Sequence, residues 1–388
     1  PIFTNAAGGN FSLDNSSPAI EKGNNTLYTN IGGNLNEDKD ILGNPRLIAS
    51  TIDMGAYENQ SLPITPDAQN ILYVDTNVPV SSNGSGNSWE NAIKEVADAL
   101  RWARTQNNFT IGNPLKIYVA KGTYKPLYNA ADTYFTSTGS ATAGYSDRDN
   151  AFVMVNNVQL YGGFDPLNNI DDLSDNRIFG SEGSILSGDF NGNDSSTGTG
   201  VTFTLTNNSE NAHHVVLASG AVIAATLDGF SIKSGNATGS GPINLNATSY
   251  HRHIAGGVNT DSPNLTLKNV VVSHNMSFNT LDSAFSAGIY NRGSNFKLTN
   301  AEVSSNITYS SSAAYGGGIW SEGNNAIFTN VTVTNNRVRG NSPANSFGGG
   351  IRNLGGSTKM YNCIIWDNVK FDAIGNAGSD IQNGNQIS

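Results

Sequence analysis

Between residues 256 and 388 one short phrase is spoken four times and begun a fifth. The first copy runs Gly256-Gly257-Val258, Leu265-Thr266-Leu267 and Asn269-Val270-Val271-Val272-Ser273-His274-Asn275; later copies restart at Ala287-Gly288-Ile289, Gly317-Gly318-Ile319, Gly349-Gly350-Ile351 and Ser379-Asp380-Ile381. The steps from Val258 to Ile289, Ile319, Ile351 and Ile381 are 31, 30, 32 and 30 residues. Two asparagine series, Asn269, Asn300, Asn330, Asn362 and Asn275, Asn306, Asn336, Asn368, keep the intervals 31, 30 and 32. Landmarks that drift together define a structural repeat.

Within each copy apolar residues alternate over three to five positions, as in Val331-Thr332-Val333 and Phe296-Lys297-Leu298, which is strand periodicity. Strands this short bury a face only by stacking on their counterparts in the next copy. The spacing therefore predicts an all-β fold, a right-handed parallel β-helix (a solenoid), handed by the crossover preference of parallel strands. Val258, Ile289, Ile319 and Ile351 are expected in one buried column. The stretches 277–286 and 308–315 read as outward loops. The repeated asparagines read as corner residues that tolerate left-handed backbone and bond to each other in ladders. The glycine pairs read as turns and not as a phosphate cradle, since no strand-Gly-helix context surrounds them.

Composition narrows the function. The 388 residues carry 43 glycines, only 13% charged residues and a net charge of −10, with 21 Lys and Arg scattered and no basic run. Nucleic acid and anionic membrane surfaces are poor partners for such a surface, and no apolar run reaches the ~18–20 residues of a membrane span. The single cysteine, Cys363, forms no internal disulfide and reads as a small apolar residue in a core column.

Along the chain, residues 1–60 read as the end of a preceding module, 61–69 as a Pro-containing linker, 70–126 as the opening strand and helix of the next, and 127–388 as its coils. Ser88 is expected to cap the one convincing helix, 88–105, with Ile93, Val96, Ala97, Leu100 and Ala103 on one face, covering the open N-terminal end of the coils. Ser17-Pro18-Ala19-Ile20-Glu21-Lys22-Gly23, Gly43-Asn44-Pro45-Arg46 and Asp53-Met54-Gly55-Ala56-Tyr57-Glu58 resemble the closing segment of bacterial surface proteins called choice-of-anchor Q proteins, which are similar to pectate lyases in fold. Ile117 to Tyr124, Val158 to Phe164, Ile185 to Asp189, His213 to Val216 and Leu227 to Ile232 resemble the opening of that family. An ending thus precedes a beginning, and the natural polypeptide is expected to continue at both ends as tandem modules. The resemblance implies an extracellular location, on the cell surface or secreted.

Candidate chemistry is sparse. Asp189, Asn191, Asn193 and Asp194 place oxygen ligands around Gly192 as a Ca²⁺ loop does; the same residues also make an ordinary turn. His251, Arg252 and His253 form the most enzyme-like patch, two histidines for a metal and an arginine for an acidic sugar, with a third metal ligand missing from the sequence. Of His213 and His214, neighbours on a strand, one at most faces solvent. Tyr128, Tyr134, Tyr145, Tyr250 and Tyr309 lie in loops where rings could stack on sugars. Asp261, Asp282, Glu302 and Glu322 fall at different offsets and do not converge. The leading expectation is a non-enzymatic, adhesin-like surface module whose partners are neighbouring modules, like molecules and surface glycans. The alternative is a polysaccharide-binding or polysaccharide-degrading β-helix with its groove near 129–150, 236–255 and 308–315.

Overall fold

A computed structural model describes the chain except residues 15–16, 49–50, 61–62, 80–81, 136, 138, 140–142, 355, 372–380 and 384–388. Two compact units emerge, Pro1–Lys94 and Glu95–Ser388. The first contains a hairpin, Phe3–Asn5 against Asn10–Leu13, the short helix α1 (Asn25–Asn30) and a strand, Ile71–Val74. Its buried polar centre joins Arg46, Asp53 and Glu58.

The second unit is all-β and mostly parallel. Among the described residues, seven strands pair in one parallel sheet: Phe152–Val153, Val216–Ala218, Val258–Thr260, Ile289–Asn291, Ile319–Ser321, Ile351–Asn353 and Ile381–Asn383. Pairing is one to one, so Val258, Ile289, Ile319 and Ile351 stand directly beside one another, each no more than 1% exposed. The locked beat of the sequence is this register. A larger parallel sheet carries two further columns, Leu227-Leu267-Leu298-Phe328 and Ile232-Val272-Val303-Val333, all at most 1% exposed. Cys363 is half-buried and follows Val270, Ala301 and Val331 in the same positional series.

Both asparagine series form ladders. Asn269, Asn300, Asn330 and Asn362 have φ between 48° and 55°, the left-handed corner that asparagine tolerates. Each Nδ2 donates to the preceding copy's Oδ1: Asn362 to Asn330 (3.2 Å), Asn330 to Asn300 (3.0 Å), Asn300 to Asn269 (3.3 Å). The chain ends where Asn269 donates to Asp228 Oδ1 at 2.7 Å. The buried series runs the other way, Asn275 to Asn306 (3.0 Å), Asn306 to Asn336 and Asn336 to Asn368 (2.9 Å each). A third ladder, Asn325 to Asn295 to Asn264, stands at a corner the sequence reading passed over.

Two expectations need correction, on the loops and on the helix. The stretches 277–286 and 308–315 are not plain loops: Met276–Asn279, Ile307–Ser310 and Arg337–Arg339 pair in parallel, as do Ala284–Phe285, Ala314–Tyr315 and Ser346–Phe347. Their inward residues are Ser277 and Thr308, small and polar, so the apolar alternation that marks a strand is missing. The glycine pairs stand at bends, as expected, and the left-handed residue is the one before, Ala255, Ser286, Gly316 or Gly348. At Gly317 a side chain is excluded by contact, since a Cβ there would lie 2.1 Å from Gly349 O. Helix α2 spans Val96–Thr105, and its N-cap Glu95 makes no side-chain capping bond. Ser88 instead accepts from Asn91 N–H in a turn (3.3 Å), and Ile93 bridges to Val74. The face of α2 is as expected, with Val96, Ala97, Leu100 and Ala103 buried; it lies against Leu115–Ala120 and Phe152–Val153, the first strands of unit two in their sheets.

Candidate functional site

The buried column through Ile232 and Val272 has an opposite, outward row: Ile185, Ser231, Val271, Glu302, Thr332 and Ile364, in register. Two positions on, Lys233 stands beside Ser273 in the next outward row. An antiparallel hairpin, Ser195–Thr197 with Thr204–Thr206, arches over this face. Its tip is secured by Phe203, whose ring meets His274 edge-on at 5.8 Å and whose carbonyl accepts from Arg337 Nη1 at 2.9 Å. Roof and floor border a half-open slot of about 250 Å³, apolar at Ile185, Val271 and Leu205, with hydroxyls from Ser231 and Ser273, and with Lys233, His274 and Asp194 as its titratable groups. Burial, and then the Lys233 charge, hold His274 below the usual histidine range, so its imidazole is neutral near pH 7.

Asp194 belongs to a carboxylate group as well. One ligand atom each of Asp189, Asp194 and Glu210 lies within 4.8 Å of the others. Asp189 Oδ1 accepts from Gly192 N–H (2.6 Å) and Asn193 N–H (3.3 Å), and its Oδ2 from Asp194 N–H (3.1 Å). Asp194 Oδ2 accepts from Asn211 Nδ2 at 2.9 Å; its Oδ1 is buried with no hydrogen-bond partner. Burial raises the Asp194 pKa. The expected loop thus supplies Asp189 and Asp194, and Glu210 comes from a later stretch. Asn191 is exposed. Asn193, with its amide turned to donate, binds Glu210 Oε1 (2.8 Å) and Asn207 O (3.0 Å), so it serves as a brace. Three hard oxygen donors suit Ca²⁺ by type.

The His251-Arg252-His253 patch follows a hairpin, Pro242–Leu245 with Thr248–His251. The two imidazoles approach to 5.3 Å between centroids, and burial, then His251, lower the His253 pKa. The groups of three metal-capable residues among those described do not include either histidine. Arg252 is committed elsewhere: its Nε pairs with the buried Asp149 at 2.5 Å and its guanidinium lies 5.4 Å from the Tyr145 ring centre. Tyr250 is 1% exposed, and its hydroxyl donates to Asp261 Oδ2 at 3.2 Å, which removes it as a stacking platform. Tyr309 stacks on Phe278 at 5.0 Å, with Arg339 over its ring. Tyr134 lies in a 3-10 turn, Asp132–Tyr134, and its side chain falls outside the described residues. His213 and His214 are both buried, so neither faces solvent.

Sequence reasoning missed the slot. Thr202-Phe203-Thr204-Leu205-Thr206 alternates as a strand does, after the turn signals Gly198 and Gly200, and those marks announce a hairpin. What it covers, from Ile185 on one side to Ser231, Lys233, Val271 and His274 on the other, has no local signal. No model of a known protein family matches the chain, and a search of curated proteins gives no match either.

Proposed function

We propose that this chain is a non-catalytic, structural module of a bacterial cell-surface protein, its parallel sheets being the faces of one right-handed β-helix capped by α2. The resemblance to choice-of-anchor Q proteins supports the location; the amide ladders carry the mechanical reading. Each buried asparagine links two copies through its side chain in addition to the strand hydrogen bonds: Asn306 accepts from Asn275 N–H (3.1 Å) and Asn275 Nδ2 (3.0 Å) and donates to Val272 O and Asn336 Oδ1 (2.9 Å each). All four of its hydrogen-bonding capacities are used. Such a stack resists bending and shear between turns, which suits a rod that holds other groups away from a cell.

Candidate acids support this reading by their engagement. Asp261 pairs in two bonds with Arg292 (2.6 and 2.8 Å), and Glu302 accepts from Ser304 (2.6 Å). The test is immunolabelling of intact source cells with antibodies to this chain. Labelling at the outer surface is the expected result. Label confined to permeabilised cells, or turnover of acidic or neutral polysaccharides by the purified chain, overturns the proposal.

A further inference from the structure

The slot beneath the Ser195–Thr206 hairpin holds two charges of opposite sign that do not satisfy each other. Lys233 takes part in none of the ion pairs among the described residues. Asp194 lines the same slot, and its Oδ1 is buried without a partner. A simple anion would answer Lys233 but add negative charge beside Asp194, Asp189 and Glu210. A simple cation would answer Asp194 and be repelled by Lys233. A ligand with both charges answers both.

Size and lining narrow the class further. A slot of about 250 Å³ holds roughly eight waters at about 30 Å³ each, so it admits a molecule of on the order of nine heavy atoms. Ile185 and Val271 on the floor and Leu205 on the roof offer an aliphatic surface, and small-molecule sites are built of such a surface with a few placed polar groups. We propose that the slot binds a free α-amino acid with an aliphatic side chain, its carboxylate on Lys233, its ammonium on Asp194 and its side chain among Ile185, Val271 and Leu205. The neutral imidazole of His274 closes one end and offers a hydrogen bond to the carboxylate or the ammonium. This inference concerns ligand chemistry only and stands apart from the surface location proposed above.

Calorimetric titration of the full chain tests it with four probes: leucine, N-acetyl-leucine, leucinamide and glucuronate. Leucine is expected to bind, and each blocked analogue, lacking one charge, to bind at least tenfold more weakly. Lys233→Met should bring leucine down to the affinity of leucinamide, and Asp194→Asn should bring it down to that of N-acetyl-leucine. The analogue series on the unaltered chain decides the matter even if a variant folds poorly. No heat with leucine at millimolar concentration overturns the proposal. So does glucuronate binding more tightly than leucine, which would assign the slot to sugar acids, or equal binding of leucine and its blocked analogues.

Discussion

Single residues divide here by whether their polar atoms have water as an alternative. Asn306 has none: it is fully buried, and its amide serves Asn275, Val272 and Asn336. Asn306→Ala strands several buried groups, each at about 1–3 kcal/mol, and should cost about 3–5 kcal/mol in chemical denaturation. Asn300 sits in the exposed ladder with φ 48°. Asn300→Gly keeps the left-handed backbone and should cost less than about 1 kcal/mol. Equal losses at the two positions would refute the distinction. Asp228 is the other extreme. It ends the exposed ladder, and Arg177 answers its charge at 2.9 Å while Phe179 lies 5.1 Å from the same guanidinium. Asp228→Asn leaves Arg177 buried beside a neutral partner and should cost about 3–5 kcal/mol, read as a lower denaturation midpoint with an unchanged slope.

At the scale of elements, legibility follows from how local the cause is. The columns through Val258 and Leu267 were readable because stacking needs the same residue type in each copy, and the sequence repeats it. The strands at 276–279 and 307–310 were not, because the Ser277 and Thr308 that face inward are small and polar and satisfy their hydroxyls on backbone carbonyls, Ser277 on His253 O at 2.8 Å and Thr308 on Gly316 O at 3.1 Å. Helix α2 was legible in its buried face but not at its start. The Ser88 signal belonged to a turn closing on Asn91, and Glu95 begins the helix without a side-chain cap. The helix offers a direct check of its packing. Leu100 is 1% exposed against the first strands, and Leu100→Asp places a carboxylate in that contact at a cost of several kcal/mol. The melting temperature of the second unit should fall by many degrees; a shift within error would show that α2 contributes no packing. The slot was illegible for a further reason, since Asp194 and Leu205 come from the hairpin and Lys233 and His274 from two neighbouring parallel strands, and only the fold brings them together.

The whole molecule should answer acid in two opposite ways, one for each unit. In Pro1–Lys94, Glu58 has a side chain 1% exposed, 3.6 Å from Arg46, and burial pushes its pKa up from 4.5 to about 7, with Asp53 and Glu21 adding to the rise. A carboxyl that binds its proton more tightly folded than unfolded stabilises the fold at low pH and loses that contribution as pH rises through about 7. Asp38 and Asp40 have lowered values, so their contribution is lost only as pH falls below the ordinary aspartate range. Stability of the first unit should therefore increase from pH 7.5 to 5, by roughly 2–3 kcal/mol at most, and decline again below pH 4. In Glu95–Ser388 the histidines act oppositely. Burial lowers His213 to about 2 and His214 to about 4, and His253 and His274 are lowered as well. These groups stay neutral folded while the unfolded chain takes up protons below about pH 6.5, so stability is present above that value and lost as pH falls. At pH 5, His213 and His214 should each withdraw roughly 2 kcal/mol; Asp194, raised by burial, works weakly the other way. Scanning calorimetry between pH 7.5 and 5 should show the transition of the first unit moving up and that of the second moving down. Glu58→Gln should flatten the first response and leave the second untouched. Two transitions that fall together on acidification, or a first response that survives Glu58→Gln, would reject this assignment of the titrating groups.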